Sequence, residues 1–365
     1  MTPGARAPLP EVALVDVEVL RCRLALVRPF VSAHGTESAK EVLLARAVDA
    51  EGREGWGECA ALARPSYTGE WIDGAEAVLQ RFLVPAALAG RPAGVVGHPM
   101  ASAALEAAVL HLRLATAGST MASWVGAVRD RVACGVAVGI AGSVDELLAE
   151  VAASVADGYQ RVKLKVRPGW DAEPVRAVRA AWPDVALGVD ANGSYGRSDL
   201  DGPLAALDHL GLVEIEQPLA AGDLVGLAEA RRRLTTPVCL DESIGSAADL
   251  ETALALAAVD HVNLKPGRVG GVAEALRIHD LALDRGVPLW IGGMLDTGVA
   301  KAVNVALAAL PGACLPGDLP ASRRWFAEDL TDPWEVAPDG TMAVRPLGGV
   351  RVAVGDPRIV PVHRC

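Results

Sequence analysis

Aromatic side chains are scarce in this 365-residue sequence, where Phe, Tyr and Trp together make up 4% of the positions. Its core is therefore aliphatic. Positive charge is also short: 34 Lys and Arg stand against 45 Asp and Glu, a net charge of −11. That balance argues against a nucleic-acid or anionic-membrane surface, because neither would gain the electrostatic attraction that drives such binding. Cysteine is sparse and scattered (Cys22, Cys59, Cys134, Cys239, Cys314, Cys365) with no CxxC pair. This pattern suggests neither a zinc site nor a disulfide framework, and the thiols are expected to be reduced and mostly buried. No basic segment followed by an apolar run opens the chain at Met1–Pro10, so no secretory signal is visible. The charge-free stretch Ala302–Gly317 contains Asn304 and Pro311 and is too short to span a bilayer. A cytoplasmic location and small-molecule chemistry are the expectations.

What is present is a large apolar fraction, 51% of residues, in a chain long enough for a barrel plus a smaller domain. From Glu11 to about Cys59 apolar residues alternate with polar ones, and Asp49-Ala-Glu-Gly52 reads as a turn; an antiparallel meander is expected. From Glu70 to about Ala117 the spacing becomes helical. After that, eight short apolar runs recur, each followed by a helical segment and spaced by about 25 residues, the rhythm of a (β/α) barrel. These features predict an α+β capping domain over residues 1–130, a barrel over 131–320, and a C-terminal segment, 321–365, returning to the capping domain.

Polar groups end the apolar runs with the same period. Lys163 and Lys165 are followed by Asp190, Glu216, Asp241 and Lys265, one strand apart at each step and so gathered at the C-terminal mouth of the barrel. Each acid alone could be an ordinary solvated loop residue; three in register are not readily explained that way. Three hard oxygen donors suit Mg²⁺, or Mn²⁺ as a substitute, and the absence of His and Cys ligands disfavours zinc. Lys163 and Lys165 are two apart, so their side chains leave the same face of one strand, while Lys265 approaches from across the barrel. A lysine crowded by cations in a partly dry site is expected to have a lowered pKa and to serve as a base. A metal facing two lysines points to abstraction of a proton α to a carboxylate.

At this level of detail the sequence resembles the o-succinylbenzoate synthase/N-acylamino acid racemase family, in the muconate-lactonising subgroup of the enolase superfamily. The matching stretches are Lys163-Leu-Lys165, Val189-Asp-Ala-Asn192, Ile215-Glu-Gln-Pro218, Cys239-Leu-Asp-Glu-Ser243, Asn263 to Gly271, Ile291 to Gly298 and Pro316-Gly-Asp318, with Gly55-Trp-Gly-Glu-Cys59 and Ser66-Tyr67 in the capping module. The resemblance implies an α/β fold, a (β/α)7β modified TIM barrel with an N-terminal α+β cap. It implies Lys165 and Lys265 as the catalytic pair, Lys163 as their electrostatic support, and Asp190, Glu216 and Asp241 as Mg²⁺ ligands. Asn192, Tyr67, Gly292, Met294 and Asp318 are expected to shape the substrate pocket, and Arg268 to tune Lys265. Ala137 stands where the family often places a serine, and His111 where it commonly carries an acid; His111 is read as structural. A phosphate site at the Gly267–Gly271 loop is disfavoured, since such sites follow strands seven and eight.

The function implied is o-succinylbenzoate synthase, the dehydration of 2-succinyl-6-hydroxy-2,4-cyclohexadiene-1-carboxylate in menaquinone biosynthesis, with N-succinylamino acid racemase activity in the same site. A dedicated N-acylamino acid racemase is the alternative. Dipeptide epimerisation is disfavoured because Gly317-Asp-Leu-Pro320 lacks an Asp-x-Asp pair. Sugar-acid dehydratases or racemases with a histidine base on strand seven are disfavoured too, since Trp290-Ile-Gly-Gly293 offers no histidine. A non-catalytic barrel would be expected to have lost a ligand or a lysine, and all five are present. The expected partner is a small-molecule carboxylate, and a homo-oligomer is expected.

Overall fold

The computed structural model describes residues 6–345, 356 and 358–364. Strands β1 (Leu14–Ser32), β2 (Gly35–Asp49) and β3 (Glu54–Cys59) form the antiparallel meander. Helices α1 (Ile72–Val78), α2 (Val84–Leu88), α3 (Pro99–Thr116) and α4 (Met121–Val125) follow. The meander has apolar residues on both faces. Val17, Val19 and Leu43 pack on the helices with Ala101, Ala104 and Ala108 of α3, whereas Leu20, Cys22 and Leu24 join the main core shared with the barrel. The hairpin between β1 and β2, at Ser32–Gly35, reaches the mouth of the barrel.

The barrel alternates strictly: β4 (Arg131–Val138), α5 (Val144–Ala156), β5 (Arg161–Lys165), α6 (Ala172–Ala181), β6 (Ala186–Asp190), α7 (Pro203–Asp208), β7 (Ile215–Glu216), α8 (Leu224–Arg233), β8 (Val238–Leu240), α9 (Ala247–Ala255), β9 (His261–Leu264), α10 (Val272–Asp284), β10 (Leu289–Ile291), α11 (Gly298–Ala308) and β11 (Gly317–Asp318). Neighbours from β4 to β10 pair in parallel, and β11 pairs with β4. A parallel bridge between Leu289 and Ala313 joins β10 to the segment entering β11, so eight strands stand in a ring. Several helices begin on a side-chain cap, Ser143 for α5, Asp223 for α8, Ser246 for α9 and Thr297 for α11, which satisfies backbone N–H groups that a helix start leaves free.

The C-terminal segment divides between two partners. β12 (Thr341–Ala343) pairs antiparallel with β4 of the barrel, and β13 (Ile359–Arg364) pairs antiparallel with β1 of the cap. Among the described residues no helix is long and apolar enough to cross a membrane. Cys22, Cys59, Cys134 and Cys239 are buried free thiols and Cys314 is exposed; Cys365 lies outside the described residues.

Candidate active site

Strand register sets the first layer of the site. Lys165 pairs with Asp190 across β5 and β6, and Asp190 with Glu216 across β6 and β7, so these three stand in one row at the strand ends. Asp241 follows β8 directly and Lys265 follows β9. Asp190, Glu216 and Asp241 are wholly buried, and each meets an ammonium. Lys165 Nζ donates to Asp190 Oδ2 at 2.6 Å and to Asn192 Oδ1 at 2.8 Å. Lys163 Nζ donates to Glu216 Oε2 at 2.5 Å and lies 2.6 Å from Asp318 Oδ2. Lys265 Nζ donates to Asp241 Oδ2 at 2.7 Å and to the Tyr67 hydroxyl at 3.0 Å.

The charges are unevenly compensated. Burial, then repulsion from Asp190 and Asp241, pushes the Glu216 carboxyl up to about 8 despite Lys163. Burial opposes ionisation of Asp190 and Asp241 too, but Lys165 and Lys163 hold the first below the ordinary carboxylate range, and Lys265 and Arg268 the second. Burial would lower Lys265, yet Asp241 foremost holds it well above its ordinary value, the reverse of the lowered pKa expected from crowding by cations. Its nearest charged neighbour is a carboxylate rather than another ammonium, and that decides the sign.

Among the described residues no three His, Cys, Asp or Glu side chains are gathered into a ready metal cage, because the lysines stand against the three acids. The donor set still fits a divalent cation: three buried carboxylates on adjacent strand ends, one of them driven towards neutrality by burial and by the other two.

A cavity opens above this layer, lined by Lys163, Lys165, Lys265, Asn192, Tyr67 and Asp318 on its catalytic side and by Met294 among others. Gly293 rather than the expected Gly292 lines it. A Cβ on Gly292 would stand 2.1 Å from Asn263 Oδ1 and 3.0 Å from Lys265 Cε; this glycine admits the close approach of Lys265 instead. Arg268 is not on the wall either. It is buried beneath, with Nη2 3.0 Å from Asp241 Oδ1. The Gly267–Gly271 loop holds no anion pocket, since the Glu106 carboxylate from α3 accepts the N–H groups of Val272 and Ala273 at the start of α10. His111 is buried, and its Nδ1 accepts the Trp56 N–H at 3.1 Å, which is structural.

Several contributors escaped the sequence reading. Gln217, in a left-handed conformation at φ 37°, accepts the N–H groups of Asp241 and Ser243 through Oε1 and so fixes the end of β8 from the end of β7. Asn263 Nδ2 donates to Glu216 Oε1 at 2.7 Å. Deeper in the barrel, Arg161 bridges Glu214 and Asp318 and stacks over Trp290, 3.9 Å from the ring centroid. Phe30 and His34 of the cap hairpin complete the cavity wall.

Residues 146–354 match the family described as Enolase C-terminal domain-like. The chain belongs to the enolase superfamily. Within the superfamily it falls in the muconate-lactonising subgroup. An N-succinylamino acid racemase of Amycolatopsis sp is 48% identical over 351 residues, covering 93% of this chain and 95% of that protein. An o-succinylbenzoate synthase of Geobacillus kaustophilus is 42% identical over 347 residues, 92% of each chain. Among solved structures, an enolase-superfamily member from Listeria innocua aligns with a TM-score of 0.88 at 34% identity, covering 94% of this chain and 96% of that one. A muconate lactonizing enzyme from Pseudomonas fluorescens shares the superfamily fold at a TM-score of 0.88 and 23% identity, over 94% of this chain and 98% of that one.

Proposed function

We propose that this chain is a Mg²⁺-dependent o-succinylbenzoate synthase that also racemises N-succinylamino acids. The observation that carries the reading is the placement of Lys165 at the end of β5 and Lys265 just past β9, on opposite sides of one cavity. A substrate held between them presents one face of its α-carbon to each ammonium. Asp190, Glu216 and Asp241 are the residues that would hold Mg²⁺, which supplies positive charge to the substrate carboxylate as the α-proton leaves.

Lys165 is oriented by Asp190 and Asn192, and Lys265 by Asp241 and Tyr67. Dehydration needs one amine. Lys165 takes the α-proton, becomes an ammonium, and returns that proton to the departing β-hydroxyl, so that water leaves. Lys265 stays charged and stabilises the anion from the other face. Racemisation needs both: one lysine accepts the proton as the other donates from the opposite face. Burial favours the neutral amine of Lys265 and Asp241 is the foremost charge opposing it, so neutralising Asp241 would move Lys265 towards the neutral form.

A dedicated N-acylamino acid racemase is the second reading, favoured by the 48% identity to an N-succinylamino acid racemase against 42% to a synthase. Purified protein with Mg²⁺ should dehydrate the cyclohexadiene carboxylate and racemise an N-succinyl amino acid, and EDTA should abolish both. Racemisation alone selects the second reading. Neither activity with metal bound would overturn both.

A further inference from the structure

Four lysines line the cavity, and three of them are already paired: Lys163 with Glu216 and Asp318, Lys165 with Asp190, Lys265 with Asp241. The fourth, Lys301 of α11, is 2% exposed and has no carboxylate within ion-pair distance among the described residues. Its one hydrogen bond runs from Nζ to the carbonyl of Pro320 at 2.7 Å. An ammonium carries three donors, so this one is under-satisfied as well as uncompensated. Asp296, on the same cavity wall, has both oxygens engaged, by the Met294 N–H and by Asn304 Nδ2. Burial outweighs the pull of Asp329 and Asp296 and moves the Lys301 pKa down, as expected of a buried cation lacking a counter-charge.

The ring fixes where this cation stands. With eight strands in the order β4 to β11, β7 lies opposite β11 and β5 lies opposite β9. Lys165 and Lys265 therefore define one diameter of the mouth. Glu216, at the end of β7, and Pro320, two residues past β11, define the other, roughly perpendicular to it. A substrate whose reacting carboxylate sits towards Glu216 extends its remaining atoms towards Pro320 and Lys301. Ala137 of β4, on the same wall, offers no polar side-chain group there.

We propose that Lys301 binds a second, distal carboxylate of the substrate and so selects dicarboxylic substrates over their neutral-tailed analogues. This rests on the functional reading above, which supplies the first carboxylate. The experiment compares kcat/KM for N-succinyl-L-methionine and for its distal methyl ester, with the full chain and Mg²⁺. The wild type should prefer the free carboxylate by about tenfold or more, the scale of one charge-assisted contact, and Lys301→Met should bring the ratio close to unity. A merely structural role would lower both values by one factor and leave the ratio as it was, which would overturn the proposal. A wild-type ratio near unity would overturn it as well, whether or not the variant folds. Wild-type protein inert towards both compounds, and towards the cyclohexadiene carboxylate, would instead overturn the functional reading itself.

Discussion

Burial, reinforced by repulsion from Asp190 and Asp241, outweighs the ammonium groups of Lys163 and Lys265 and moves the Glu216 carboxyl up to about 8. The same competition explains why Arg268 matters without touching the cavity. Its guanidinium stands 3.0 Å from Asp241 Oδ1 and takes up part of the charge that Asp241 otherwise directs wholly at Lys265. Arg268→Ala removes the cation that competes with Lys265 for Asp241 and holds Lys265 more firmly as the ammonium. Racemisation requires Lys265 to exchange a proton, whereas dehydration requires only its charge. Racemisation should therefore fall more than dehydration, by a further tenfold or so, when both are assayed on the same preparation; equal losses would contradict this.

At the scale of elements, the join between cap and barrel depends on Glu106. Its carboxylate reaches from α3 to the first N–H groups of α10, and Gly271 makes room for it at φ 120°, where a Cβ would stand 1.6 Å from Glu106 Oε2. Gly271→Ala adds backbone strain and displaces the Glu106 carboxylate from the start of α10, at a cost on the order of 2 kcal/mol. The urea midpoint should drop accordingly, and an unchanged midpoint would refute the assignment. This contact also marks what a sequence conceals. Asp190, Glu216, Asp241 and Lys265 were legible because one polar group ends each strand of a regular repeat. Glu106, Gln217, Asn263 and the Arg161–Glu214–Trp290 cluster were not, because their partners lie on other strands or 166 residues away, where no local period records them. Gly292 was misplaced for a related reason: a glycine motif reports a close approach without saying on which side it occurs.

For the whole molecule, the buried Glu58 links the cap to the barrel by accepting the Thr297 hydroxyl and the Ala300 N–H at the start of α11. Burial, reinforced by Asp296, pushes its carboxyl up to about 7 from an ordinary 4.5. The folded chain thus keeps a proton that the unfolded chain releases. Its stabilising contribution is complete below pH 4.5 and is lost as pH rises through about 7. Glu58→Gln cannot ionise, so its stability relative to the wild type should improve by about 1 kcal/mol or more between pH 5 and pH 8. Urea unfolding at the two pH values reads the difference, and a gap independent of pH would exclude an ionising Glu58 as the cause.

The central claim is that Lys165 and Lys265 address opposite faces of one α-carbon. Exchange of the α-proton of each enantiomer of an N-succinyl amino acid in D2O, followed by proton NMR with Mg²⁺ present, tests it most directly. The wild type should exchange both enantiomers. Lys165→Ala should retain exchange of one enantiomer only, and Lys265→Ala of the other. Loss of the same enantiomer in both variants, or undiminished exchange of both enantiomers in either, would contradict the account.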